Sequence, residues 1–268
     1  MRNPMRSAAG RLMAAMAFAG ALIASTAAGA VTLAEIQGRG AVRIGVLTGT
    51  PPMGMIDEKG NPSGYDVDVA NVIGRYLALP VQLVPLTPPA RIPALQTGQV
   101  DFLIATLAPT GERAKTVMFT TPYSAFDLVI VSGPDKKFAN LDALKGKRVA
   151  VNRGSSQETS LRNANVQGLE IVVYEDDSTS TQAVLSGQVD AAAIPSTVAQ
   201  GVMKQMPGAI QSDFSLFHQG NSMTTLLGDF ELHQYLNTAI YVMKVSGELD
   251  RISMKWTGEP LPPTLPTF

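Results

Sequence analysis

The segment Ala108-Pro-Thr-Gly-Glu-Arg113 holds the residue types best suited to chemistry in this chain. Thr110 after a proline suits a helix N-cap, which places Arg113 in the first helical turn, where its charge opposes the helix dipole. An anion there relieves the conflict, and a guanidinium takes a carboxylate through two parallel hydrogen bonds. The structural alternative is a surface arginine paired with a nearby acid such as Glu112. A second segment, Asn152-Arg-Gly-Ser-Ser-Gln-Glu158, follows a predicted strand and opens a predicted helix. The amides around Gly154 and the hydroxyls of Ser155 and Ser156 can grip an anion from the opposite side, although on their own they are explained as well by an N-cap. Catalytic patterns are absent from the sequence: the histidines are His218 and His233, no cysteine occurs, and there is no metal-ligand spacing, Gly-x-Ser-x-Gly elbow or phosphate loop. Asp66 and Asp68 read as capping and surface charge at the start of a helix. These residues point to binding of a small anion, with no cofactor.

Two echoing stretches supply the frame that must hold them. Ala94-Leu-Gln-Thr-Gly-Gln-Val-Asp101 leads into Phe102-Leu-Ile-Ala105, and Val184-Leu-Ser-Gly-Gln-Val-Asp190 leads into Ala191-Ala-Ala-Ile194. Each reads as a helix end, a glycine stop and a short buried strand. Upstream lie matching strands, Val42-Arg-Ile-Gly-Val46 and Arg148-Val-Ala-Val151, so the same α/β plan is built twice. Two lobes joined by short connections leave a cleft, and clefts between domains are where small molecules bind. The pattern predicts lobe 1 over residues 31–132 and 218–268, lobe 2 over 133–217, and two crossing strands as a hinge. Within lobe 1, Val69, Val72, Ile73, Tyr76 and Leu77 recur at helical spacing over 66–79, and 81–86 reads as a strand. Residues 223–227 read as a strand and 229–256 as helices with apolar Phe230, Leu232, Leu236, Ile240 and Met243. The proline-rich tail at 259–268 is expected to be loosely ordered.

Arg2, Arg6 and Arg11 precede an uncharged apolar run at 12–23 and then Ala28-Gly29-Ala30, the layout of a secretory signal peptide cleaved after Ala30. Its removal takes three arginines and no acids, leaving 18 basic and 22 acidic residues, a charge of about −4 that excludes a nucleic-acid partner. With no cysteine, there is neither a disulfide framework nor a lipid-modified residue after the leader, and the core alone must supply stability. The expected product is a soluble periplasmic monomer.

The chain resembles the family 3 solute-binding proteins, the periplasmic receptors of polar amino acid ABC transporters. The likeness rests on Pro51-Pro52, Gly64-Tyr-Asp-Val-Asp68, Arg91-Ile-Pro-Ala-Leu-Gln-Thr-Gly-Gln-Val-Asp101, Thr110-Gly-Glu-Arg113, Phe119-Thr-Thr-Pro-Tyr123, Gly146-Lys-Arg-Val149 and Lys255-Trp-Thr-Gly258, in the family's order and spacing. It implies a type II periplasmic-binding-protein fold, two α/β lobes that close on a ligand about a two-strand hinge and deliver it to a membrane permease. It also implies that Arg113 holds a ligand α-carboxylate, that Thr106 contacts the ligand, and that Gly154, Ser155 and Ser156 complete the carboxylate site. Arg91 corresponds to an arginine that takes a side-chain carboxylate in acidic amino acid receptors, and equally belongs to a common structural Arg-Ile-Pro segment.

Three positions depart from the family pattern. Pro195 stands where an aspartate pairs with the ligand ammonium, Ala108 replaces a serine or threonine, and Met53 replaces an aromatic that packs on the ligand. A buried ammonium without a counter-charge is costly, so Asp176, Asp177 or Ser196 must compensate, or the ligand is an amine-free organic or dicarboxylic acid. A lyase or dehydratase on the same scaffold is the alternative of another class.

Overall fold

A computed structural model describes residues 31–262 and 265. The predicted leader at 1–30 and most of the end of the proline-rich tail lie outside the described residues. The main sheet has eight strands in the order β4-β1-β5-β10-β6-β9-β7-β8. Their ranges are β1 Val42–Leu47, β4 Val81–Leu86, β5 Phe102–Leu107, β6 Val117–Ser132, β7 Arg148–Asn152, β8 Glu170–Tyr174, β9 Ala191–Pro195 and β10 Gln211–Leu226, with β2 Met55–Ile56 and β3 Pro62–Ser63 forming a separate hairpin. The helices are α1 Leu33–Arg39, α2 Tyr65–Leu77, α3 Arg91–Gln96, α4 Ser156–Ala164, α5 Asp177–Leu185, α6 Ser196–Gln205, α7 Phe230–Val245 and α8 Glu248–Thr257.

Three parallel strands stand at each end of this sheet, β4-β1-β5 and β9-β7-β8, and each set carries helices on both faces. The short apolar runs explain this. In β5, Phe102 and Ile104 enter one apolar cluster while Leu103, Ala105 and Leu107 enter another; in β9, Ala192 and Ile194 part from Ala191 and Ala193 in the same way. Successive side chains of a strand point to opposite faces, so a strand apolar at every position must be covered on both. Each large aliphatic chain buried there contributes about 1.5–3 kcal/mol.

The echoed Gly-Gln-Val-Asp segments do the same work twice. Gly98 and Gly187 adopt φ of +67° and +72°, ending a helix in a conformation that suits glycine. The aspartate then fastens the next strand to its neighbour. Asp101 accepts from the Arg43 backbone N–H and from its Nη2, both at 2.8 Å, while Asp190 accepts from the Arg148 N–H at 2.9 Å and Lys136 Nζ at 2.6 Å.

Between the two sets run β6 and β10, each 16 residues long and paired antiparallel along their length. Sequence reading recovers only the end of β10, as 223–227, because register shifts between Ser212 and Phe214 and between Ser215 and Phe217 break the alternation of its earlier part. It is a strand because β6 satisfies its backbone groups. The sequence boundary at 217/218 therefore falls inside a continuous strand. Two apolar positions also differ from expectation. Tyr76 is 36% exposed at the edge of the α2 core face, its hydroxyl donating to Glu248, and Phe230 is 70% exposed because α7 meets the core only from Leu232 onwards.

Candidate functional site

A narrow pocket opens between the two halves of the sheet. Arg91, Thr106 and Arg113 line it from one side; Asn152, Ser155, Ser156, Gln157, Asp177 and Pro195 line it from the other, with Gln219 of β10 between them.

Arg113 sits as its backbone dictates, with one correction. Its N–H donates to Thr110 Oγ1 at 3.2 Å as a cap would require, but the segment is a single 3₁₀ turn, Arg113–Lys115, before β6 begins. No α-helix follows, so no helix dipole acts on it. Glu112 pairs with Lys115 at 2.5 Å, which leaves the Arg113 guanidinium free to turn inward. There it donates through Nη1 to the Ala108 carbonyl at 2.8 Å and through Nη2 to the Gly154 carbonyl at 3.0 Å, across the cleft. Burial lowers its pKa.

Arg91 is buried and mostly committed to its own half: Nε donates to Pro88 O at 2.9 Å and Nη1 to Ala105 O at 2.9 Å. Only Nη2 reaches across, to Gly154 O at 3.4 Å. Burial and the neighbouring Arg113 charge push its pKa down to about 9. Two guanidiniums thus converge on one carbonyl oxygen. Gly154 has φ of +69°, and a Cβ there would stand 3.2 Å from Pro89 Cα, so only a bare backbone comes this close.

Thr106 has φ of +45°, a conformation that costs a β-branched residue about 1–3 kcal/mol. The surrounding contacts hold it there. Its N–H donates to Tyr123 Oη at 3.2 Å, and its carbonyl accepts from Arg91 Nη1 and Gln219 Nε2, both at 3.4 Å. Tyr123 Oη in turn donates to Asp66 Oδ1 at 2.8 Å. Asp66 is therefore not a surface charge but a buried carboxyl, its pKa raised well above the usual range by desolvation. Asp68 does lie outward, taken by Lys255 and the Trp256 Nε1 at 2.6 and 2.7 Å.

Ser155 is spent as the N-cap of α4, accepting from Glu158 N at 3.1 Å, and Ser156 donates to Gln219. Pro195 lines the pocket; Ala108 offers it no side chain and only lends Arg113 its carbonyl. Met53 is not brought to the site. The chain folds back through paired Thr50 and Gly54, and Met53 is buried in the core with Tyr65 and Tyr123.

Asp177 stands opposite the arginines. It is 2% exposed, with Oδ2 accepting from Thr50 Oγ1 across the cleft at 2.8 Å and Oδ1 from Gln157 Nε2 at 3.2 Å. Its neighbour Asp176 caps α5 instead, through the Thr179 N–H at 2.8 Å. Desolvation raises the Asp177 pKa to about 7; Thr50 and Arg91 oppose this, and the Asp176 charge adds to it. With Asp66 and Asp177 both held toward their neutral forms, the two guanidiniums leave the pocket net positive. It suits a carboxylate.

This carboxyl carries a signed pH effect. A pKa raised from 3.8 to about 7 means a contribution to stability that is complete below pH 4 and lost as pH climbs to 7. Against the parent protein, ligand-free Asp177→Asn is expected to gain relative stability steadily between pH 4 and 7 and then level off. Paired denaturation curves across that range check it; a difference independent of pH would contradict the assignment.

A twice-built α/β frame around a cleft lined by two arginines is the architecture of a small-solute receptor. The chain belongs to the bacterial extracellular solute-binding proteins, family 3, whose model matches residues 42–259. It is 28% identical over 229 residues to the L-cystine-binding protein TcyJ of Escherichia coli K12, covering 84% of this chain and 86% of that one. It is 31% identical over 207 residues to the arginine-binding extracellular protein ArtP of Bacillus subtilis 168, covering 75% of this chain and 81% of the relative. Among solved structures, the ancestral amino acid-binding protein AncCDT-1, a precursor of cyclohexadienyl dehydratase, superposes with a TM-score of 0.79 at 30% identity, covering 84% of this chain and 99% of that one. The fold is thus the type II periplasmic-binding-protein fold. Relatives named for binding support a receptor rather than an enzyme. No helix among the described residues is long and apolar enough to cross a membrane.

Proposed function

We propose that this protein is a periplasmic receptor that captures an amino acid by closure of two lobes and hands it to an ABC transporter permease. The lobes are residues 31–132 with 218–268, and residues 133–217, hinged on β6 and β10. One observation carries the reading: Arg113 and Arg91 of one lobe both point an Nη2 at the Gly154 carbonyl of the other, 3.0 and 3.4 Å away. A carbonyl oxygen there mimics one oxygen of the ligand carboxylate. In the liganded protein Arg113 takes that carboxylate, Thr106 and the Gly154-Ser155-Ser156 loop flank it, and Asp177 receives the ammonium in place of the missing aspartate at position 195. Because the ligand touches both lobes, it binds the closed state better than the open one and shifts the population toward it.

Thermal-shift screening of the mature chain against amino acids and their deaminated analogues tests this. A true ligand at about 100 times its Kd adds roughly 2.7 kcal/mol, a rise of about 5–10 °C at this chain length. A rise with amine-free acids and none with amino acids would overturn the reading in favour of an organic-acid receptor.

A further inference from the structure

A second charged cavity lies at the far end of the β1 half, where Val31 and Asp229 meet Glu35, Arg39, Arg43 and Asp101. Asp229 is 3% exposed, and its Oδ1 has no hydrogen-bond partner among the described residues. The backbone N–H of Val31 donates to this carboxylate. Arg39 and Arg43 both pair with Asp101, and the buried Nε of Arg43 has no hydrogen-bond partner among the described residues. Glu35 is engaged with Thr32, whose capping box starts α1. Three carboxylates and two guanidiniums leave the cavity one positive charge short. The Thr32 cap and the packing of the Val31 side chain on the core hold the nitrogen of residue 31 beside Asp229.

We propose that Asp229 is a docking site for the α-ammonium created when the leader is removed after Ala30, so that processing completes the charge balance of this cavity and stabilises the mature chain. Hydrolysis adds water across the Ala30–Val31 bond, leaving a carboxylate on Ala30 and an ammonium on Val31. A single amide donor becomes a cation with three donors, at the carboxylate that lacks one. The nearby N-terminus of α1 disfavours a positive charge, but Glu35 in its first turn and Asp229 offset this. Burial, with Asp101 and Glu35 adding and the Val31 and Leu226 amides opposing, raises the Asp229 pKa to about 6. Cleavage elsewhere by even one residue moves the charge by about 3.8 Å and loses the pair.

The proposal rests on the cleavage position expected from the sequence, and the intact mass of the secreted chain reads that position separately. A mass that starts at any residue other than Val31 overturns the proposal. Melting is then compared for chains with a free Val31 amine, an acetylated one, and one added glycine. Acetylation and extension are each expected to lower the midpoint by at least about 3 °C, and in Asp229→Asn the three chains should melt together. Midpoints within about 1 °C in the parent, or a gap that persists in Asp229→Asn, would overturn it. Should Asp229→Asn fail to fold, NMR titration of the parent's α-amine decides: its pKa should exceed the ordinary ~7.7–8.0, and an ordinary value counts against the site.

Discussion

Replacing Arg113 with alanine is expected to weaken amino acid binding by at least about 2 kcal/mol, a ~30-fold rise in Kd, while the protein stays folded. The two halves of that statement have separate grounds. Among the described residues the guanidinium donates to the carbonyls of Ala108 and Gly154, and it belongs to no apolar cluster. Its burial already lowers its pKa, so losing it removes an unfavourable charge from the ligand-free protein. The melting point without ligand should hold or rise. Binding suffers because a carboxylate entering the closed cleft would meet only Arg91, whose Nε and Nη1 are occupied by Pro88 and Ala105. Arg91 is the poorer residue to test, since its removal strands the carbonyls it satisfies and confuses stability with affinity. Calorimetric titration of Arg113→Ala against the parent measures the loss, and unchanged affinity would remove the carboxylate assignment.

What the sequence disclosed and what it hid divide along the range of the forces involved. The echoed Gly-Gln-Val-Asp segments were legible because their work is local: a glycine ends a helix, and an aspartate three residues later caps the adjoining strand start. The α2 core positions were legible for the same reason, through helical period. By contrast, Met53 was placed by a backbone fold-back at Thr50 and Gly54 that leaves no periodic trace, and it turned into the core. Asp66 looked like a capping residue because its partner, Tyr123, lies 57 positions away. The early part of β10 mixes Phe214, Leu216 and Phe217 with polar residues without a regular alternation, and its pairing with β6 makes it a strand. At the site, the choice between Asp176 and Asp177 was a one-residue question of helix phase. The first caps α5 toward Thr179; the second, at the first helical position, faces Thr50 across the cleft.

That phase gives the second large effect. Asp177→Asn is expected to cost an amino acid at least about 2 kcal/mol of binding while costing its deaminated analogue much less. The substitution keeps the side chain's shape and removes its charge. Asparagine can accept from Thr50 or from Gln157 but not from both as the carboxylate does, so some closure energy is lost whatever the ligand. Comparing two ligands across the same pair of proteins cancels that common loss and leaves the term that depends on the ammonium. The ionised state offers a second, independent reading. The pKa of Asp177 is raised to about 7 by desolvation, and an arriving ammonium restores the charged form and lowers it. Binding near neutral pH should therefore release a fraction of a proton, visible as a binding enthalpy that changes with the ionisation enthalpy of the buffer, and Asp177→Asn should abolish that release. If both ligands lose affinity equally and the buffer dependence persists, the ammonium has another partner, and the loss of the aspartate at position 195 is compensated somewhere other than Asp177.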